Sequence, residues 1–263
     1  MSGVPGRYDL FGWDYEAFNT LTDAEAAWHE MWARRTGGPL LGLACGTGRL
    51  LCRLARAGFD VVGLDLSDAM LALARKNISM LPPEAGRRIT LMRRDMSDFD
   101  LGGKFGLVFI ADNSFRAVGT RRGMLSCLRC VRRHLAPGGK VLITERRFDP
   151  SQYAGARQVS RWSTPRPHPE TGYLVSRKVE VSLSRDRRRI TGKMVYRIAH
   201  SDGAESIKEF AFGVPAMTTE EYVDLFGRAG FETRVFAGYS EMPDDGSSPL
   251  LCFALDVRPS CRA

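Results

Sequence analysis

Short unbroken apolar runs alternate with amphipathic stretches from Pro39 to Glu145. Runs such as VVGL and LVFIA carry no polar position, as a strand covered on both faces requires. The stretches between them repeat apolar residues at the spacing of one helix face. The pattern predicts strands over Pro39–Ala44, Asp60–Asp65, Ile89–Arg93, Phe105–Ala111 and Lys140–Glu145. It predicts helices over Thr47–Ala57, Asp68–Met80 and Arg121–Leu135, stopped by Gly58, Pro82 and the PGG that follows His134-Leu135-Ala136. An earlier helix starts at TDAE, where Thr22 and Glu25 fit a capping box, and stops at Gly37 and Gly38, with Trp28 and Trp32 on one face.

From Pro150 to Met217 the period changes to two, in YLVSRKVEVSL, ITGKMVYRIAH and IKEFAFGV, separated by SRDRRR and SDGAES. That segment reads as an antiparallel insertion. A capped helix, TTEEYVDLFGRAGF, and two strands, Glu232–Gly238 and Leu250–Val257, then return the chain to the main sheet. The fold class is α/β: a doubly wound, mostly parallel seven-stranded sheet with an antiparallel β insertion after the fifth strand. The divisions expected are 1–36 (arm and first helix), 37–149 (core), 150–217 (insertion) and 218–263 (return to the core).

Composition changes this picture little. With 44% hydrophobic and 26% charged residues in 263, the chain has the make-up of an ordinary globular protein. No apolar run reaches the roughly 20 residues needed to cross a bilayer, and the N-terminus lacks a basic segment followed by an apolar one, so a cytoplasmic location without a membrane partner is expected. The six cysteines are scattered, four or more of them in core segments, which suits reduced thiols. Cys127 and Cys130 have metal-like spacing but no second pair and no nearby histidine, so they read as core and no metal is expected. The net charge of +8 would suit a polyanionic partner, but the arginines are dispersed without interleaved aromatics, which argues against nucleic acid.

The chemistry lies in LLGLACGTGRLLCRLARAGFDVVGLDLS, Leu40–Ser67. A P-loop needs GK[ST], which is absent, and the dinucleotide spacing fails because Leu51 stands where the third glycine belongs. What remains is a turn whose small residues, Ala44, Gly46 and Gly48, let a ligand press on bare backbone at the carboxyl edge of the first strand. Asp65, at the end of the second strand, offers two acceptor oxygens to a ribose diol, with Leu66 beside it. Asp95, ending the third, can take an adenine amino proton while Met96 covers the ring. Asp112 and Asn113 end the fourth. A ribose acid, an adenine acid and no phosphate cradle together describe S-adenosylmethionine.

GLACGTGRL, VVGLDLSDAML, RRDMSDF, LVFIADNSF and HLAPGGKVLI resemble the successive motifs of class I S-adenosylmethionine-dependent methyltransferases. The insertion and the ACGTG turn are similar to those of small-molecule N-methyltransferases such as glycine N-methyltransferase and the amino-sugar dimethyltransferases. The resemblance implies a Rossmann-like methyltransferase fold, S-adenosylmethionine as cofactor, and cofactor contacts at Ala44, Gly46, Gly48, Asp65, Leu66, Asp95, Met96 and Asp112. It also implies that the arm RYDLFGWDYEAF folds over the cofactor as a lid, with Tyr8 and Asn113 as candidate catalytic residues. Many members carry an acid where this chain has Gly42, helping to hold the methionine amino group; here backbone carbonyls or water are expected to replace it. Arg49 reads first as a solvated helix residue and second as a carboxylate anchor. The function implied is methyl transfer to a small-molecule acceptor, an amine ahead of a hydroxyl. A small-molecule O-methyltransferase, an RNA methyltransferase and a non-catalytic cofactor-binding protein stay open. The insertion is a candidate surface for pairing two subunits.

Overall fold

A computed structural model describes residues 17–153, 158–168 and 171–258. The chain divides into two units, Leu21–Phe148 with Met217–Ala263, and Met1–Thr20 with Asp149–Ala216.

The larger unit begins with α1 (Asp23–Thr36), capped by the Thr22 hydroxyl, which accepts from Glu25 N at 3.1 Å. Then come β1 (Leu40–Leu43), α2 (Arg49–Arg56), β2 (Val61–Asp65), α3 (Asp68–Ser79), the short α4 (Pro83–Gly86) and β3 (Ile89–Arg93). β4 (Phe105–Ile110) leads through a 3-10 turn, Phe115–Val118, into α5 (Arg121–His134) and β5 (Leu135–Arg146). α4 and the 3-10 turn are too short to leave a periodic signal. The PGG expected to separate helix from strand lies inside β5: Leu135 already pairs with Phe105, and pairing resumes at Lys140 after a register shift.

In the smaller unit β6 (Gln158–Val159), β7 (Arg166–Pro167), β8 (Leu174–Leu183), β9 (Arg189–Ala199) and β10 (Glu205–Pro215) form a five-stranded sheet. β8, β9 and β10 are an antiparallel meander, as the period-two pattern predicts. Trp162, in the insertion, is flanked by cations: Lys178 and Arg197 lie 5.1 and 4.7 Å from its ring centre.

The chain then supplies α6 (Thr219–Arg228), β11 (Phe231–Ala237) and β12 (Leu250–Val257) to the larger unit. α6 starts with a full capping box, Thr218 with Glu221. The resulting seven-stranded sheet runs β3-β2-β1-β4-β5-β12-β11, parallel from β3 to β5 and antiparallel on both sides of β12. Strand order reverses between β1 and β4, and in open α/β sheets ligands bind beyond the carboxyl ends at that point.

Alternate residues of each strand feed two cores. Leu41, Leu43, Val108 and Ile110 face α5 and α6, through Cys127, Leu128, Val131 and Phe226. Leu40, Leu107, Phe109 and Leu142 face α1 and α2, through Trp28, Trp32, Leu51 and Leu54. α1, grouped with the arm on sequence grounds, is therefore a structural layer of the core. Cys127 and Cys130 are buried packing residues, and burial raises the Cys127 thiol pKa.

Gly42 and Gly63 stand opposite each other in the β1–β2 register, and Leu51 fills the trough they leave. A Cβ at Gly42 would lie 2.9 Å from Leu51 Cδ2 and 2.8 Å from two Phe109 ring carbons, and one at Gly63 would overlap Leu51 Cδ1. Gly42→Asp, which supplies the acid that the resemblance implies at this position, is thus expected to cost more than about 3 kcal/mol through overpacking and a buried charge. Urea denaturation of the variant measures it.

Candidate functional site

The turn after β1 is built from left-handed backbone. Ala44, Gly46 and Gly48 have φ of 52°, 54° and 76°, a region that costs little only for glycine. A side chain at Gly48 would press on Ala74 of α3 at 3.2 Å, whereas one at Gly46 would meet nothing within 4 Å. Gly48 therefore serves helix packing, and Gly46 presents bare backbone to open space.

Asp65 sits behind this turn. The residue is 9% exposed, and its carboxylate accepts from Gly46 N at 2.7 Å and Ser67 N at 2.9 Å. Ser67 in turn caps α3, its hydroxyl accepting from Met70 N at 3.2 Å. The acid thus ties the glycine turn to the helix start. Leu66 beside it is 49% exposed, an apolar side chain at the lip of the same edge.

On the neighbouring strand, Asp95 follows β3. It is exposed and accepts from both the N and the hydroxyl of Ser97, each at 2.7 Å. Met96 packs partly against the core. Asp95 is therefore a turn acid in this conformation, with its second oxygen turned away from those bonds.

After β4, Asp112 and Asn113 have φ of 54° and 62°. Two successive non-glycine residues in this region mark a strained turn held by its surroundings. Asp112 N donates to the Thr144 hydroxyl at 3.0 Å and Asn113 N to Thr144 O at 3.1 Å. The Asn113 side-chain oxygen, expected beside the reacting methyl, instead accepts from Arg116 Nη2 at 2.9 Å and Arg146 N at 2.6 Å. Its amide is a strut between β4 and β5. Tyr8, the other candidate catalytic residue, lies outside the described residues.

Near the same edge stand groups whose first reading from the sequence was different. Glu25 of α1 has its pKa raised, first by burial and then by the nearby Asp112, against the opposing pull of Arg49 and a hydrogen bond from Tyr239. One turn on, His29 is wholly buried, its ring 5.5 Å from that of Phe109; burial lowers its pKa to about 4, so it is neutral at physiological pH. Arg49 is half-buried, not solvated: its buried Nη1 has no hydrogen-bond partner among the described residues, and neither do the buried Thr47 hydroxyl and His29 Nε2. A signal for Glu25 existed only as the capping pattern, which says nothing of Tyr239 or Arg49.

Residues 40–139 match the family model described as a methyltransferase domain. A putative methyltransferase of Bacillus subtilis, YqeM, is 36% identical over 107 residues, 40% of this chain and 41% of the relative. The chain thus matches about two fifths of that protein's length. A dTDP-4-amino-2,3,4,6-tetradeoxy-D-glucose N,N-dimethyltransferase of Saccharopolyspora spinosa is 29% identical over 76% of this chain and 73% of its own. The structure of S-adenosylmethionine-bound CalS10, an amino pentose methyltransferase from Micromonospora echinaspora, superposes with a TM-score of 0.70, at 26% identity over 92% of this chain and 94% of that one. With the strand order and the glycine turn already in place, residues 40–139 are similar to a methyltransferase domain, and the chain shares the Rossmann-like fold of the S-adenosylmethionine-dependent methyltransferases it resembles.

Proposed function

We propose that this chain transfers a methyl group from S-adenosylmethionine to an amine nitrogen of a small-molecule acceptor. The observation that carries this reading is the joining of an open glycine turn to a buried carboxylate, Asp65, through the 2.7 Å bond from Gly46 N. Open space over Gly46 and an exposed Leu66 suit a flat adenosine, and the partnerless Arg49 Nη1 suits a carboxylate at its far end. When bound, the cofactor supplies an electrophilic methyl on a sulfonium. Asp65 accepts from the ribose hydroxyls, Leu66 and Met96 cover the two sides of the base, and Asp95 takes the adenine amino proton. The backbone of Ala44, Gly46 and Gly48, with that of Asp112, bounds the remainder.

In-line displacement at a methyl carbon depends on positioning. A neutral amine needs no proton removed before attack, whereas a hydroxyl needs a base or a metal. The Asn113 side chain, engaged with Arg116 and Arg146, supplies no base, which favours the amine. Both the Saccharopolyspora and the Micromonospora relatives are named for amino-sugar substrates, so nucleotide-linked amino sugars head the acceptor panel. Tyr8, outside the described residues, is retained as a candidate for orienting the acceptor. Pairing of two subunits through the insertion and a cytoplasmic location belong to the same reading; no helix among the described residues is long and apolar enough to cross a membrane. A basic concavity of about 450 Å³, lined by Arg129, Arg132, Arg133 and Arg228, lies toward the amino end of β5, away from the edge where an acceptor meets the methyl. Charge therefore gives RNA methylation little support.

Methyl-labelled S-adenosylmethionine, offered with amino sugars, hydroxyl analogues and RNA, tests this. Label is expected in the amine, with stoichiometric S-adenosylhomocysteine. Label in a hydroxyl analogue or in RNA assigns the corresponding alternative, and binding without any product assigns a non-catalytic role.

A further inference from the structure

Asp95 and Met96, assigned above to the adenine, begin the loop that joins β3 to β4, and the last turn of α5 holds that loop from behind. Cys130 Sγ donates to Ser97 O at 3.7 Å, Arg133 Nη2 donates to Phe99 O at 3.4 Å, and Leu101 N donates to His134 Nε2 at 2.9 Å. A thiol bonds weakly and 3.4 Å is long, so Leu101 supplies the firm hold. Phe99, 3% exposed, carries the loop into the core with its ring 4.8 Å from that of His134.

His134 is buried, and its neighbours fix which nitrogen bears the proton. Nδ1 faces Cys130 O at 2.7 Å, a group that only accepts, so Nδ1 donates and Nε2 is the acceptor for Leu101 N. Asp100 Oδ1 nevertheless stands 3.2 Å from the same Nε2, kept there by Gly102 N, which donates to it at 3.1 Å. A bare nitrogen gains no bond from that carboxylate, and a protonated one gains none from Leu101 N. The charge on the ring therefore decides which partner Nε2 takes. Asp100 is the acid that faces this nitrogen; the cations at the same helix end are Arg133 and Lys104, whose Nζ donates to Arg133 O.

We propose that His134 is a positioning residue for the base end of the cofactor: unprotonated, its Nε2 holds Leu101 N and with it the loop that presents Asp95 and Met96; protonated, it turns to Asp100 and releases Leu101. The inference rests on the S-adenosylmethionine reading above. It goes beyond that reading by giving α5, which carries none of the assigned contacts, control over two of them.

Nuclear magnetic resonance on the whole chain without ligand reads the hold on Leu101, and calorimetry with S-adenosylhomocysteine reads its consequence. Both run from pH 8 to about pH 5.5, where an imidazole ordinarily changes charge. The Leu101 amide signal is expected to shift as His134 gains its second proton, and Asp100→Asn should move that change to lower pH, because the carboxylate favours the charged ring. Affinity for S-adenosylhomocysteine should fall about twofold to tenfold over the same interval, the range for one neutral hydrogen bond. His29 does not titrate there, since burial lowers its pKa to about 4. His134→Gln keeps an acceptor that takes no proton, so it should bind as the unaltered chain does at pH 8 and lose the fall on acidification. The same fall in His134→Gln, a Leu101 signal that ignores pH, or a shift of that signal with no change in affinity overturns the inference while the cofactor reading stands. If the unaltered chain does not bind S-adenosylhomocysteine at pH 8, the cofactor reading fails and the inference with it.

Discussion

Arg116→Met is expected to destabilise the larger unit by about 3–5 kcal/mol, the range for breaking a buried ion pair from one side. Glu145 ends β5 with its side chain 0% exposed, and Arg116 Nε meets its Oε2 at 2.5 Å while Arg116 N donates to Oε1 at 3.1 Å. The guanidinium also donates through Nη2 to Asn113 Oδ1 and Arg146 O, both at 2.9 Å. Burial raises the Glu145 pKa and Arg116 opposes it. Without the arginine only burial and Asp112 act, so the pKa climbs further and the carboxyl folds best when neutral. For a raised carboxyl, stability is present below the unfolded pKa and is lost as pH rises through the folded one. The deficit against the unaltered chain should therefore be greater at pH 8 than at pH 5, as read from urea denaturation at both. Replacing both partners, Arg116→Met with Glu145→Leu, should recover part of the loss. An equal deficit at both pH values would mean that Glu145 finds another partner.

That ion pair shows where sequence reading reaches its limit. Strands, caps and strand-end acids were legible because each is a local pattern: period, a Ser or Thr before a helix, a carboxylate at the end of an apolar run. Thr22, Ser67 and Thr218 cap their helices, and Asp65 ends β2 behind the glycine turn. What holds Asn113 was not legible because its environment is assembled across the β4–β5 pair, where Arg116 and Arg146 converge on one amide oxygen. Glu25 was legible only as a capping residue, since Tyr239, Arg49 and Asp112 reach it from three distant segments. Gly42 looked like a missing acid; the fold shows it as one half of a glycine trough that seats Leu51. Local chemistry was written in the chain, and what depended on strand adjacency was not.

Asp65→Ala should weaken cofactor binding about tenfold to a hundredfold, or roughly 1–3 kcal/mol for a lost buried acceptor. Unlike a purely ligand-facing acid, Asp65 also holds Gly46 N and Ser67 N, so the same change should lower the melting temperature of the ligand-free chain. Asp65→Asn separates the roles: its one remaining oxygen can serve one of those N–H groups but no longer offers two oxygens to a diol. It is expected to keep more of the stability while losing most of the affinity. Asp95→Ala provides the contrast, because among the described residues that exposed carboxylate bonds only Ser97 in its own turn. Its loss should cost affinity with little change in melting. Calorimetry with S-adenosylhomocysteine, beside thermal melts without ligand, gives both readouts for all three variants. If Asp65→Ala lowers the melting temperature yet binds the ligand as tightly as before, the carboxylate only braces the turn, and the ribose must be held by another group at this edge.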